Sequence, residues 1–481
     1  MKILQMMGGG DVGGAKTHIF SLVRELDKYH EICMVSFRDG PFPQEMRAEG
    51  IRVELVLSNN PIAARNAVLR LIDRFSPDLI HCHGGRANMI GAMVRAKREL
   101  PVMTTMHSDY KLDYLGNPLK QYTLGSVNAV SLRKLDYYQA VADRMAQTLI
   151  SRGFDPESLF TIYNGMDFRN RMSDVDRTAY CREKYGADVD DSMVLCGLAA
   201  RLTAVKDIAT AIRGFAQAVK EKPQLRLFLA GTGEDEEKLR RQTQALGIAD
   251  KVVFCGWVTE IAPFFAAMDI TLLTSLSETF PYSILEGIRE GCVPVCSDVG
   301  GMAELISDGE TGYVFQPRDD AALARALISL AGDADRRRCF AEKQLARAVE
   351  RYSIDAMRRR QEQNYQRALD KFARRTKMRD GVVLCEGERT EEQIAVLRKE
   401  DAERPVWLVC DDPAGARLRY RVRACKPAKA AAALKRAERY LCDGADSRMA
   451  ALARQCGCPV GRLPLLGGKD DGESAIDQKF L

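Results

Sequence analysis

Glu278 and Glu286, with seven residues between them, are the carboxylates around which this sequence is best read. They lie in MDITLLTSLSETFPYSILEGIREGCVPVCSDVGG, residues 268–301. The apolar, β-branched run Asp269 to Thr274 predicts a buried strand, and Leu276 to Phe280 a loop. Pro281 suits the first residue of a helix in which Ile284, Leu285 and Ile288 recur at helical spacing. Gly291 stops that helix, and Val293 to Cys296 begins the next strand. One carboxylate then lies beyond a strand's carboxyl end and the other within the following helix, both able to line the crevice where open α/β sheets bind ligands. Carboxylates there accept hydrogen bonds from sugar or ribose hydroxyls, and free amides at the helix start can meet a phosphate.

Other residue groups have to be weighed against this pair. Gly8, Gly10 and Gly13 satisfy the dinucleotide-binding spacing directly after the first strand, with Asp39 as a ribose ligand in a hydride-transfer reading. The glycines overrun that pattern, however: Gly8-Gly9-Gly10 and Gly13-Gly14 make a wider loop, and His18 follows one helical turn later. His81 and His83 have H-x-H spacing, but the chain holds only five histidines and offers no third ligand nearby. Strand-end packing or a place in an acceptor cleft explains them better than metal. The tripeptides Asp174-Val-Asp176, Asp188-Val-Asp190 and Asp333-Ala-Asp335 have the spacing of a divalent-cation motif, yet fall in polar connections away from inferred strand ends, as surface acids do.

The elements that must position these groups follow an alternating pattern. Strands at Lys2–Met6, Glu31–Phe37, Val53–Leu57 and Leu79–His83 are separated by helices near 17–28, 44–49 and 62–75. A second alternating set has strands near Val194–Leu198, Arg226–Ala230, Lys251–Cys255, Asp269–Thr274 and Val293–Cys296. Such order argues for mainly parallel sheets covered on both faces. The polar stretch Asn170–Tyr185 reads as a linker. The charged stretch from Ala334 to Lys377 reads as solvated helix, with Ile354–Leu369 a candidate to cross back to the first domain. Beyond it, strand-like Val382–Cys385, Val406–Val409, Arg419–Val422, Tyr440–Cys442 and Pro459–Leu463 alternate with helical patterns at 390–400, 428–439 and 447–456, and 467–481 reads as a tail.

Composition sets outer bounds. A chain of 481 residues exceeds one ordinary core. It is 46% hydrophobic and 28% charged, and its net charge of +5 is too mild to argue for nucleic acid. Fourteen cysteines are scattered without metal-ligand spacing, which fits reduced thiols in a cytoplasm. No apolar run approaches a signal segment or membrane span.

Gly13-Gly14-Ala15-Lys16-Thr17-His18 resembles the amino-terminal loop of glycosyltransferase family 4, the retaining GT-B enzymes, and further segments arrive in that family's order. They are Asp78-Leu79-Ile80-His81-Cys82-His83, Thr105-Met106-His107, Tyr163-Asn164-Gly165-Met166-Asp167, Ala200-Arg201-Leu202 with Lys206, Ala230-Gly231-Thr232-Gly233, Phe254-Cys255-Gly256-Trp257 and the Glu278/Glu286 pair. The resemblance covers roughly the first 370 residues.

It implies an α/β GT-B fold of two Rossmann-like domains facing a cleft. Residues 1–172 would form the acceptor-side domain, 173–377 the nucleotide-sugar domain, and 378–481 a small appended α/β module of unknown role, for which partner docking or acceptor positioning is a hypothesis. It also implies a retaining, metal-independent hexosyltransferase without cofactor, moving sugar from a nucleotide diphosphate sugar to a saccharide or lipid-linked hydroxyl in cell-surface polysaccharide or glycolipid synthesis. His107, Arg201, Lys206 and Glu278 would be catalytic: Arg201 and Lys206 clamp the diphosphate, Glu278 faces the donor sugar, and His107 positions it. Gly13, Gly14, Gly231, Gly233, Trp257, Tyr282, Ser283 and Glu286 would bind the donor, with Glu286 on the ribose hydroxyls. His18, His83 and Asn164 would line the acceptor side. Pro281 departs from the family, in which glycine often follows the phenylalanine; lacking an N–H, it leaves diphosphate contacts to the amides of Tyr282 and Ser283 and the Ser283 hydroxyl. The expected location is cytoplasmic, with peripheral contact at the inner membrane face an option. A nucleotide-sugar epimerase on the same fold and a non-catalytic nucleotide-sugar-binding protein are the alternatives.

Overall fold

The structure is a computed structural model that describes residues 1–8, 13–111, 121–171 and 175–379, and beyond them five short strands and Ile394. Gly9 to Val12, and with them Gly10 of the dinucleotide spacing, lie outside the described residues, as do Asp174, the helical patterns at 390–400, 428–439 and 447–456 apart from Ile394, and the tail. The chain divides into two compact units, Met1–Ala368 and Leu369–Leu481.

The first unit holds two parallel sheets. β1 (Lys2–Met7), β2 (Glu31–Ser36), β3 (Arg52–Leu55), β4 (Leu79–His83), β5 (Val102–Met106), β6 (Tyr137–Ala140) and β7 (Leu159–Thr161) lie in the order β3-β2-β1-β4-β5-β6-β7. β8 (Val194–Ala199), β9 (Leu225–Ala230), β10 (Val252–Gly256), β11 (Ile270–Leu273), β12 (Val293–Ser297) and β13 (Tyr313–Phe315) lie in the order β10-β9-β8-β11-β12-β13. All neighbours in both sheets run parallel, and the strand order reverses between β1 and β4 in one and between β8 and β11 in the other, which are the positions where such sheets open a ligand crevice.

The second sheet shows why its strands read as apolar runs. Val194, Cys196 and Leu198 of β8 pack into one core layer, while Leu195 packs into the layer on the opposite face. Alternate residues of one strand point to opposite faces, so a sheet covered on both sides needs apolar residues at every position. Of the eight cysteines from Cys33 to Cys339 whose side chains are described, six are buried and all eight are free thiols; burial pushes the thiols of Cys82 and Cys196 well up from their ordinary value.

Several boundaries differ from the sequence reading. Arg177–Tyr185 is a helix inside the stretch read as linker, capped by the Asp176 carboxylate on the Ala179 amide at 3.0 Å. Pro41–Ala48 is helical, starting earlier than 44. The helix after Glu278 runs Tyr282–Glu290, and Pro281 precedes it with extended φ −73°, ψ 132°. Pro281 therefore sits at the N-cap, not the first helical position. The charged stretch is two helices, Ala334–Tyr352 and Ile354–Arg379.

Helix Ile354–Arg379 packs on the first sheet through polar groups. Tyr365 reaches Gln5 and His81, Gln361 reaches Gln139, Asn364 reaches the Thr161 carbonyl, and Glu362 meets His30 at 2.9 Å. Met166 exchanges backbone bonds with Tyr352 and Ile354, and a Cβ on Gly165 would lie 2.6 Å from that of Met357. The glycine of Asn164-Gly165-Met166 is thus required by the close approach of the chain's return segment.

In the second unit, β14 (Val382–Cys385), β15 (Val406–Val409), β16 (Arg423–Cys425), β17 (Tyr440–Cys442) and β18 (Val460–Arg462) form a parallel sheet in the order β16-β15-β14-β17-β18. Its third strand lies at Arg423–Cys425 instead of the expected Arg419–Val422. Among the described residues no helix is long and apolar enough to cross a membrane.

Candidate active site

The first sheet contributes a histidine cluster. β4 ends at His83 and β5 is followed by His107, while His18 lies on helix Gly14–Leu26, which starts after Gly13 at φ 83°. Neighbouring parallel strands deliver side chains side by side at their carboxyl ends, so His83 Nδ1 lies 3.2 Å from His107 Nε2 and the His18 and His107 ring centres are 4.7 Å apart. His81, two residues back on β4, is bonded to Tyr365 and Thr105, at 2.7 Å each. Burial, reinforced for His81, His83 and His107 by neighbouring histidines, holds these three well below the ordinary imidazole value; burial alone lowers His18 to about 4. All four are neutral at pH 7. They can exchange hydrogen bonds with hydroxyls but cannot neutralise a phosphate.

The second sheet supplies the charge. Arg201 lies two residues beyond β8, exposed, and among the described residues no ion pair or hydrogen bond holds its guanidinium. Lys206 ends a short 3-10 turn, Ala204–Lys206, and its ammonium pairs with Glu278, which also accepts from the Ser275 hydroxyl at 2.8 Å. The loop bearing Arg201 and the loop bearing Glu278 are tied together by Leu276 N–H to the Val205 carbonyl, 2.8 Å, and the Thr274 hydroxyl to the Lys206 carbonyl, 3.1 Å. Glu286 is half-buried on helix Tyr282–Glu290, and burial raises its carboxyl above the ordinary value against the pull of Arg289. Tyr282 is buried, its hydroxyl without a partner among the described residues, and the Ser283 side chain is half-buried in the same first turn.

The two halves meet at this place. The Thr279 hydroxyl donates to the His107 carbonyl at 2.9 Å, and the Asn164 amide donates to the Phe280 carbonyl while its oxygen lies 2.7 Å from His18 Nδ1. A Cβ on Gly14 would lie 3.7 Å from the Tyr282 ring, so the first sheet's glycine loop lies against the start of the Glu286 helix. Further along, Glu304 accepts from the amides of Asp143 and Arg144, and Arg144 pairs with Asp298 at 2.6 Å.

Not every expected residue faces this junction. Gly231 and Gly233 serve their own loop: a Cβ would lie 2.0 Å from the Ala200 carbonyl oxygen and 2.2 Å from that of Leu202. They permit the crossing that carries Arg201. Trp257 stands 75% exposed at the end of the edge strand β10, two strands from β8. The acidic tripeptides hold local structure: Asp176 and Asp333 cap helices, Asp188 pairs with Arg182, Asp190 accepts from Ser192, and Asp335 pairs with Arg338. Gln5, Thr279 and Tyr365 went unread in the sequence. Gln5 alone left a signal, as a polar residue inside the buried strand KILQMM.

Comparison with known proteins agrees with this geometry. Residues 12–170 match the model for Glycosyltransferase Family 4, and residues 182–347 that for Glycosyl transferases group 1. An uncharacterized glycosyltransferase of Methanocaldococcus jannaschii is 25% identical over 314 residues, 63% of this chain and 78% of the relative. D-inositol 3-phosphate glycosyltransferase 2 of Catenulispora acidiphila is 27% identical over 380 residues, 72% of this chain and 88% of the relative. Among solved structures, Anabaena HepE in complex with UDP superposes with a TM-score of 0.66 at 22% identity, covering 76% of this chain and all of HepE; a further HepE structure holds UDP-glucose. Two domain models in family order, relatives matched over most of their length and a shared fold lead to one assignment: the chain belongs to the family 4-like GT-B glycosyltransferases.

Proposed function

We propose that the protein transfers a glycosyl group from a nucleotide diphosphate sugar to a hydroxyl acceptor, with retention of anomeric configuration and without a metal. The observation that carries this reading is Arg201 beyond the end of β8, unpaired among the described residues, tied through its loop to the Lys206–Glu278 pair and set in the half of the site opposite four neutral histidines. The diphosphate goes to Arg201 and Lys206, whose charges stabilise the leaving oxygen as the glycosidic bond breaks. Lys206 exchanges Glu278 for phosphate, which frees the Glu278 carboxylate to accept from a sugar hydroxyl. Glu286 accepts from the ribose hydroxyls, and the amides of Tyr282 and Ser283 replace the one Pro281 lacks. The acceptor hydroxyl attacks the anomeric carbon from the face the diphosphate leaves; the C–O bond to the acceptor forms, the bond to the diphosphate breaks, and a diphosphate oxygen takes the acceptor proton. Arg201 and Lys206 bring to the diphosphate the positive charge that a divalent cation would otherwise supply. That HepE holds UDP and UDP-glucose supports a nucleotide-sugar donor here, and a saccharide or lipid-linked saccharide of a cell-surface polymer fits the family as acceptor.

Incubation with nucleotide sugars and simple glycoside acceptors, followed by NMR of the product, should show transfer with the donor's anomeric configuration, undiminished by EDTA. Epimerised donor without transfer, an inverted product or loss of activity with EDTA would each contradict part of this reading.

A further inference from the structure

A hydrogen-bonded chain buried in the first half-site runs from the helix Ile354–Arg379 to His107. Tyr365 Oη lies 2.7 Å from His81 Nδ1 and 2.9 Å from Gln5 Nε2; Gln5 Oε1 lies 2.9 Å from His83 Nε2; His83 Nδ1 lies 3.2 Å from His107 Nε2. Gln5, His81, His83 and Tyr365 are all fully shielded from solvent. In such a chain each group's proton position is dictated by its neighbour. The Gln5 amide nitrogen faces the Tyr365 hydroxyl and can only donate to it, so the tyrosine proton goes to His81 Nδ1. The Gln5 oxygen can only accept, so His83 carries its proton on Nε2 and offers a lone pair at Nδ1. His107 must then donate to that lone pair from Nε2, leaving its own Nδ1 unprotonated. Among the described residues Nδ1 of His107 has no hydrogen-bond partner, and it keeps some contact with solvent.

We propose that Tyr365 and Gln5 are positioning residues that fix His107 as the Nε2–H tautomer, so that its Nδ1 presents a lone pair to the cleft and accepts a hydrogen bond from a donor-sugar hydroxyl. The inference rests on the proposed reading of His107 as the histidine near that sugar. An independent route gives the neighbouring ring a matching polarity. Asn164 donates its amide to the Phe280 carbonyl, so its oxygen accepts from His18 Nδ1–H. His18 Nε2 is therefore also a lone pair, and it is buried without a partner. Neutral rings, with lone pairs at His107 Nδ1 and His18 Nε2, suit a hydroxyl-bearing sugar and disfavour an anion, so the diphosphate is kept to the Arg201 side. A Gln5 amide of the opposite orientation would instead donate to His83 and leave His107 Nδ1 protonated.

The two polarities are separable without substrate, so a failure here is distinct from a failure of the donor reading. The full-length chain, labelled with ring-15N histidine, contains five imidazoles, and long-range proton–nitrogen spectra distinguish protonated from lone-pair nitrogens. The His107 signals are those lost in His107→Asn. Wild type should show His107 protonated at Nε2 alone. Tyr365→Phe and Gln5→Met should both turn this into a mixture of tautomers, although neither position touches His107. Gln5→Glu should retain the wild-type pattern, because a carboxylate oxygen still accepts from His83. If Tyr365→Phe does not fold, the two Gln5 variants decide the matter. A protonated His107 Nδ1 in wild type, or an unchanged His107 in Gln5→Met, would overturn the proposal.

Discussion

Glu286 is asked for two incompatible things: an ionised carboxylate to hold ribose hydroxyls, and a place half inside a helix packed on β11. Its raised carboxyl value records the cost. Because the folded-state value lies above the unfolded one, the folded chain binds more protons between the two, and stability falls as pH rises through that window. Glu286→Gln should therefore melt higher than wild type at neutral pH, and the difference should vanish in acid below the ordinary glutamate range. A pH series of thermal melts reads this directly. The histidines have the opposite sign. His18 is held at about 4 by burial, below its unfolded value of 6.5, so the stability it confers is complete above 6.5 and is lost as pH falls towards 4. Each histidine behaving so contributes a slope of up to about 1.4 kcal/mol per pH unit. His18→Asn, which keeps a donor for Asn164, should flatten the acid limb of a denaturant-derived stability profile by roughly that much. At this scale the positions of Arg201 and Glu278, just beyond the carboxyl ends of apolar strands, were legible in residue order, whereas His107 was singled out by the resemblance alone. Gln5 and Tyr365 were hidden because they meet only through a contact between β1 and a helix some 360 positions away.

Elements give two of the glycines a structural task. The resemblance puts Gly231 and Gly233 with the donor; in the structure their missing Cβ atoms let the loop after β9 cross the backbone at Ala200–Leu202. Gly233→Ala would drive a methyl to 2.2 Å from the Leu202 carbonyl oxygen, a clash with backbone that cannot rotate away. We expect it to destabilise the fold by about 1–3 kcal/mol and to weaken donor binding by displacing Arg201, measured by denaturant unfolding and ligand titration. A Gly233→Ala variant of wild-type stability would contradict this. Pro281 shows the limit of sequence reading at element boundaries. Pattern placed it inside the helix, but the bend from the Glu278 loop keeps it extended, and the helix begins one residue later. The alternating strands and both site loops were legible because strands covered on both faces write continuous apolar runs. The helix Arg177–Tyr185 was not, because its composition is polar and it buries a single residue, Cys181.

At the scale of the first unit, the site depends on two sheets closing on each other. Thr279, Phe280, Asn164 and His107 form the clamp, and the helix Ile354–Arg379 returns to the first sheet to complete its buried polar network. The central claim is that Arg201, Lys206 and Glu286 form the donor half of this site. It is tested most directly by thermal shift of the full-length chain against a panel of nucleotide diphosphate sugars, with wild type beside Glu286→Ala and Arg201→Ala, scoring only the ligand-induced change. A ligand at a hundredfold excess over its Kd adds about 2.7 kcal/mol. At least one nucleotide sugar should raise the wild-type melting temperature, and that rise should be lost in both variants. No rise with any nucleotide sugar, or an undiminished rise in either variant, would contradict the account.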